Sequence, residues 1–238
     1  MNKINVLIPM AGIGKRFVDA GYTLPKLLLP LGNKTMIESV YDNLYNSQFN
    51  FIFVINNQQI DPKIIKDLFP TSTVVEISKV PQGPAMSCMC AEPLINNNEK
   101  LIITNCDQII EDFSYDILSS FCEYNQVDGV IGAFHSASPK NSYAKVNDDN
   151  DVIEVREKQV ISNIATNGLH YWTHGKYFVE SVRQMVENKD TVNNEYYVAP
   201  SYNYMIRRGM KIKPFYYNMH FPIGTPHDYE KYKKERTI

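Results

Sequence analysis

Nowhere in the 238 residues does an apolar run approach the length of about 18 that a bilayer-spanning helix needs. The sequence therefore predicts no membrane segment. Nor does its start resemble a secretory leader, because Met1-Asn2-Lys3 runs straight into a short strand-like stretch. Cysteine is scarce, with Cys88, Cys90, Cys106 and Cys122 making up the 4. None stands in C-x-x-C spacing and no histidine clusters with them. That argues against structural zinc and leaves reduced thiols in a cytoplasmic setting as the expectation. An excess of one charge is missing too. Lys and Arg total 24 against 26 Asp and Glu, a net of −2, without the basic stripe of a general nucleic-acid binder. The longest basic cluster, Lys231 to Arg236, is interrupted by Glu235 and reads as the solvated face of a last helix. No internal repeat, low-complexity tract or linker divides the chain, so a single domain over 1–238 is expected.

What is present is ample material for a core, 44% hydrophobic residues, arranged as alternating strand and helix signals. Ile4 to Pro9, Phe51 to Ile55, Val74 to Ile77 and Leu101 to Thr104 are apolar, β-branched runs. Between them lie helical patterns over Thr35–Tyr45, Pro62–Phe69 and Gly83–Leu94. This β-α-β-α order predicts an α/β fold with a Rossmann-like mixed, mostly parallel sheet and helices on both sides. The second half is more mixed. Strands are expected at Gly129–Phe134, Gly168–Trp172 and Lys211–Tyr217. A hairpin is expected around Asp148-Asp149-Asn150-Asp151, and helices over Tyr177–Val186, Ala199–Arg207 and from Pro226 onward.

The densest chemical signal follows the first strand. Val6 to Met10 runs into Ala11-Gly12-Ile13-Gly14-Lys15-Arg16-Phe17, and Pro25-Lys26 follows about ten residues later. Glycines let backbone N–H groups close on an anion, and Lys15, Arg16 and Lys26 would neutralise a triphosphate. The run is not a Walker A loop, which ends in Gly-Lys-Ser/Thr. It is not G-x-G-x-x-G either, because Phe17 stands where the third glycine would fall. Asp107 closes another strand, and in an open α/β sheet ligands gather at the carboxyl ends of strands. Its carboxylate could hold Mg²⁺ together with substrate phosphates or cap the segment that follows. Glu157-Lys158 could meet a second phosphate or form an exposed ion pair. Asn193 to Tyr197 suits a polar helix start or a binding site. Trp172 and the 16 tyrosines are read as core and groove lining.

Together these segments resemble the nucleotidyltransferase family that activates sugar phosphates as nucleoside diphosphate sugars, a family with a glycosyltransferase-A-like fold. The signature Ala11 to Phe17 with Leu24-Pro25-Lys26 carries the resemblance. So do Val80-Pro81-Gln82-Gly83-Pro84-Ala85, Asn105-Cys106-Asp107, Glu157-Lys158 and Gly224-Thr225-Pro226. A capsule-pathway subgroup is the nearer match, through Glu157 to Ser162, Gly168 to Tyr171 and Asn194 to Pro200. The resemblance implies a nucleotide-binding half over about 1–110 and an acceptor-binding half over about 111–238. It implies nucleotide contacts at Met10, Ala11, Gly12, Gly14, Lys15, Arg16, Lys26, Gln82, Gly83 and Asn105. It implies acceptor contacts at Glu157, Lys158, Asn167, Gly168 and Glu195, with Mg²⁺ (or Mn²⁺) on Asp107. The implied substrates are an NTP, with CTP favoured, and a phosphorylated small-molecule acceptor, with L-glutamine phosphate favoured. Arg16, Lys26, Asp107 and Lys158 are the expected catalytic set, and Arg156 is a candidate for an acceptor carboxylate. No nucleic acid or membrane partner is implied, and a homo-oligomer is compatible.

Two departures fall on the acceptor side. The family pattern carries a second metal aspartate before the late turn, and Pro222 stands there. Gln159-Val160-Ile161-Ser162 follows the Glu-Lys pair where the pattern has proline. Two other readings stay open: a sugar-1-phosphate nucleotidyltransferase with another NTP, and a non-catalytic nucleotide sensor on the same fold.

Overall fold

A computed structural model describes residues 3–236. Met1 and Asn2, on which the reading of the chain start rested, lie outside them. Within these residues the fold is the mixed α/β, helix-flanked sheet that the sequence predicts. The first half supplies β1 (Ile4–Met10), α1 (Lys15–Asp19), a small hairpin of β2 (Pro30–Leu31) and β3 (Lys34–Thr35), and α2 (Met36–Leu44). Then come β4 (Phe49–Asn56), α3 (Pro62–Leu68), β5 (Thr73–Ile77), α4 (Pro84–Met89), α5 (Glu92–Ile95), β6 (Lys100–Ile103) and β7 (Gln108–Ile110). The second half adds α6 (Tyr115–Asn125), β8 (Gly129–His135), β9 (Ser142–Val146), β10 (Val152–Glu157), β11 (Ile164–Trp172), α7 (Gly175–Glu187), α8 (Tyr202–Arg207), β12 (Ile212–Tyr216), β13 (His220–Pro222) and α9 (Pro226–Arg236).

Nine strands form one sheet, ordered β10-β9-β11-β6-β1-β4-β5, with β8 joined to β11 and β12 to β8. β6, β1, β4 and β5 pair in parallel. β11 turns the sheet antiparallel against β6, β8 and β9. Along the parallel strands apolar side chains point to both faces. Val6, Ile8, Phe51 and Phe53 enter one core, under α2, α3, α6 and α9. Leu7, Ile52 and Val54 enter the other, under α4, α5, α7 and α8. Period-2 alternation with both faces buried explains why these strands read as continuous apolar runs.

The helices start where side chains satisfy free N–H groups. Thr35 and Glu38 form a reciprocal capping box on α2, with Thr35 N donating to Glu38 Oε2 at 2.8 Å. Asp61 caps α3 by accepting from Lys63 N at 2.9 Å, with Pro62 behind it. One expectation needs correction. Gly83–Leu94 is not one helix but α4 and α5, broken at Cys90-Ala91. Pro93 supplies no N–H for a continuous ladder and instead sits in the first turn of α5. α6, β7 and β13 were not expected from the sequence. Of the basic cluster on α9, Arg236 reaches Glu111 at 3.3 Å and Lys233 reaches Glu230 at 3.6 Å.

Candidate active site

A cleft of about 600 Å³ opens at the carboxyl ends of β1, β4, β5 and β6, where a parallel sheet concentrates its ligand-binding loops. The loop after β1 forms its floor. Gly14, at φ 60°, serves as the N-terminal boundary of α1, and its carbonyl accepts from Phe17 N at 2.8 Å. A Cβ there would lie 3.1 Å from Lys26 Cβ, so a bare backbone lets the loop close over the lysine. Lys15 and Arg16 line the cleft from α1, and Lys15 also pairs with Asp19 at 3.3 Å on the exposed surface.

Lys26 and Asp107 face each other across this floor, Nζ to Oδ2 at 2.6 Å, with side chains 14% and 22% exposed. Burial pushes the Asp107 carboxyl up, but the Lys26 ammonium, its hydrogen bond and the Arg16 guanidinium outweigh it, leaving the group below its ordinary value. For Lys26, burial pulls the ammonium down and Asp107 and Cys106 outweigh that, so it stays firmly charged. Asp107 is thus a charged acceptor clamped by its neighbours. The late turn completes the clamp. Ile223 N donates to Asp107 O at 2.9 Å. A Cβ on Gly224 would fall 2.4 Å from Asp107 Oδ2, so only glycine lets the carboxylate lie where it does. Thr225 then caps α9, its Oγ1 accepting from Asp228 N at 3.1 Å.

Pro222 ends β13 and pairs with Gln108, the neighbour of Asp107. The adjacent polar groups are committed elsewhere. Gln108 Nε2 donates to Thr104 Oγ1 at 3.0 Å and Gln108 Oε1 meets His220 Nε2 at 3.2 Å. Burial lowers His220 to about 4, against weaker upward pulls from Asp107 and Asp112. Among the described residues no group of three or more His, Cys, Asp or Glu could hold a metal.

Of the expected nucleotide contacts, Met10, Ala11, Gly12, Gly83 and Asn105 also line the cleft. Gln82 does not. Its Nε2 donates to Asn194 O at 2.9 Å and to Asn194 Oδ1 at 3.2 Å. Gly83, at φ 96°, allows Tyr196 to pack on it, for a Cβ there would meet Tyr196 O at 2.6 Å. Two backbone bonds, Tyr196 N to Gln82 O and Ala85 N to Tyr196 O, both at 3.0 Å, tie this loop to the second half.

The expected acceptor residues divide. Glu195 lines the cleft. It accepts from Tyr197 OH at 2.6 Å, and that hydroxyl accepts from Lys158 Nζ at 2.6 Å. Burial drives the Tyr197 phenol up, and Glu195 adds to the effect. Glu157 is buried and held by the Ser142 hydroxyl. Burial raises its carboxyl above the ordinary value, Ser142 and Lys158 oppose this, and Glu195 adds to it. Lys158 therefore reaches the cleft through Tyr197 and Glu195 rather than by lining it, while Glu157 is turned to Ser142. Asn167 and Gly168 lie behind it. They occupy the irregular stretch of β11 between Thr166 and His170. A Cβ on Gly168, at φ 83°, would meet Asn105 Nδ2 at 2.1 Å, so Gly168 makes room for Asn105. Asn167 Oδ1 accepts from Leu169 N at 3.1 Å. Arg156 pairs with Glu154 at 2.7 Å, away from this cleft.

Sequence reasoning missed Gln59, Ser87 and Cys106 among the lining residues. The Cys106 thiol is pushed up to about 11 by burial, which Lys26 partly offsets.

The model of the Nucleotidyl transferase family matches residues 5–230. The chain belongs to this family. Its curated relatives include the UTP–glucose-1-phosphate uridylyltransferase of Escherichia coli (strain K12), 23% identical over 171 residues, covering 61% of this chain and 56% of that enzyme. The matched stretch thus spans little more than half of the curated relatives' length. Among solved structures, a nucleoside-diphosphate-sugar pyrophosphorylase from Vibrio cholerae RC9 superposes with a TM-score of 0.85 at 23% identity, covering 97% of this chain and 100% of that one. An inositol-1-phosphate CTP transferase from T. maritima superposes with a TM-score of 0.74 at 19% identity, covering 100% and 99%. At these identities the superpositions establish a shared fold, in which the β1 loop, Asp107 and Gly224 all line one cleft.

Proposed function

We propose that this nucleotidyl transferase joins the nucleoside monophosphate of an NTP to a phosphorylated small molecule and releases pyrophosphate. CTP is the favoured donor and L-glutamine phosphate the favoured acceptor, making the chain a CTP:phosphoglutamine cytidylyltransferase of capsular polysaccharide synthesis that yields CDP-L-glutamine. The general reading is carried by the clamped Lys26–Asp107 pair beneath the glycine loop. The finer reading is supported by the likeness of Glu157–Ser162 and Asn194–Pro200 to the capsule subgroup. The presence of both Lys26 and Asp107 in one site argues against a sensor without catalysis.

In this mechanism the acceptor phosphate, already ionised, needs no general base. Its oxygen forms a bond to the α-phosphorus as the bond from that phosphorus to the β-bridging oxygen breaks in line, and pyrophosphate carries the electron pair away. Lys15, Arg16 and the Gly12–Gly14 amides hold the departing β and γ phosphates. Lys26 exchanges Asp107 for the α-phosphate and neutralises charge growing there. Lys158 exchanges Tyr197 for the acceptor phosphate and sets it opposite the leaving group. Catalysis is positioning plus electrostatics. A single carboxylate fits Mg²⁺ bound mainly through substrate phosphates rather than a resident metal held by protein alone. Asp107 would hold that ion, which supplies charge neutralisation on the phosphate oxygens.

Pyrophosphate release from each of four NTPs, paired with L-glutamine phosphate and with hexose 1-phosphates, tests the reading. Turnover with CTP and L-glutamine phosphate is expected. Turnover with hexose 1-phosphates alone would move the chain to the sugar-1-phosphate enzymes, and no release with any pair would overturn the activity.

A further inference from the structure

The cleft gathers its cations in one part, and Glu195, packed beside Gly83, is a carboxylate in its lining. Its cations, Lys15, Arg16 and Lys26, come from the segment after β1. Farther along the same rim, the loops after β4 and β5 contribute no charged side chain to the lining among the described residues. A triphosphate is drawn to the cations and away from the Glu195 carboxylate, so the part of the rim after β4 and β5 is left for the base. Gln82, which the resemblance makes a nucleotide contact, donates its Nε2 to Asn194. Ser87 Oγ is turned to Gly83 O at 3.3 Å. The carboxamide of Gln59 lines the cleft and, among the described residues, has no hydrogen-bond partner in the protein.

We infer that Gln59 is a specificity-determining residue, which hydrogen-bonds the edge of the nucleobase. The inference rests on the proposed NTP binding and adds to it the group that chooses among bases. The position is fixed by its backbone. Gln59 N and Ile60 N both donate to Asn56 O, at 3.0 and 3.2 Å. Ile60 is buried, and Asn57 N donates to Ile77 O at 2.9 Å, tying the turn to β5. Three residues past the end of its strand, the side chain is thus presented by a rigid turn. A carboxamide offers one donor and one acceptor side by side. That matches a base edge with adjacent groups of opposite kind, for cytosine the N3 acceptor and the N4 amino donor. Gln59 Nε2 donates to the first and Oε1 accepts from the second.

Calorimetric titration of the four NTPs and of inorganic tripolyphosphate, on wild type and Gln59→Ala, tests this apart from turnover. Gln59 is not a core residue, and an unchanged Tm would confirm that the variant folds. The expected result is about tenfold weaker binding of the preferred NTP, a narrower spread among the four, and unchanged tripolyphosphate binding. An unchanged spread in Gln59→Ala would overturn the inference, as would wild-type binding of every NTP no tighter than tripolyphosphate. Base-selective binding without pyrophosphate release would instead overturn the activity and leave the role of Gln59 intact.

Discussion

The two halves of the cleft are built on different principles. In the half proposed to bind the nucleotide, parallel strands deliver short loops to one rim, and the site is made of backbone and of groups close to the strand ends. In the half proposed to bind the acceptor, antiparallel strands and coil deliver hydrogen-bonded side chains: Ser142 to Glu157, and Lys158 through Tyr197 to Glu195, bridging 15, 39 and 2 positions of sequence. The first is preset by backbone conformations and close approaches that glycine alone suits, at Gly14, Gly83 and Gly224. The second is held by hydrogen bonds between polar and charged groups, several of them exposed. The nucleotide half should therefore respond to substitution by losing catalysis, and the acceptor half by losing affinity.

The largest effect is expected at the Lys26–Asp107 pair. Lys26→Met should lower kcat/KM by ~10²-fold or more and, by leaving a buried carboxylate unpaired, cost about 3 kcal/mol of stability. Lys26→Met combined with Asp107→Leu should recover most of that stability and none of the activity, checked by denaturant titration beside steady-state kinetics. Recovery of both would mean that the pair is structural. Next is Gly224→Ala. Its methyl would displace the Asp107 carboxylate, so kcat should fall on the order of 10²-fold while the fold persists by circular dichroism. Wild-type kcat would show that the position of Asp107 is not critical.

On the acceptor side, Lys158→Ala should raise the acceptor KM at least ~10-fold with NTP affinity nearly unchanged, and Tyr197→Phe should raise it less, by about 0.5–1.5 kcal/mol of binding. Equal losses of NTP and acceptor affinity would erase the distinction between the halves. The last effect concerns the pH dependence of stability. Burial lowers the buried imidazole of His170 from 6.5 to about 3 and that of His220 to about 4. The unfolded chain thus binds more protons in that interval, and stability falls as pH drops from 6.5 toward 4. His220→Gln should make this slope shallower in thermal melts across that range.

How much the sequence reveals follows the same division. The β1 loop, Lys26, Asp107 and the late glycine turn are legible because each combines a strand end with unusual residue types within a few positions. The role of Gly224 in seating Asp107 is invisible, since 117 residues separate them in the chain. The resemblance makes Gln82 a nucleotide contact, and its Nε2 is turned to Asn194 rather than into the cleft lining. The Asn194 amide that captures it arrives from a distant loop. Gln59 carries no signal, because a glutamine after a strand is ordinary until topology brings its loop to the rim. α6 was unread because Ser119-Ser120 and Asp116 blur an apolar face that rests on Tyr115, Leu118 and Cys122. The break between α4 and α5 was legible in Pro93 and was overridden by the apolar pattern.

If this cleft transfers a nucleotide, Lys26 carries the transfer. The direct test is to mix CTP with L-glutamine phosphate and, separately, with glucose 1-phosphate, and to count pyrophosphate and CMP-linked product for wild type and Lys26→Met. The wild type should give one pyrophosphate per linked CMP, and Lys26→Met nearly none. Free CMP in place of a linked product, or equal turnover by the variant, would contradict it.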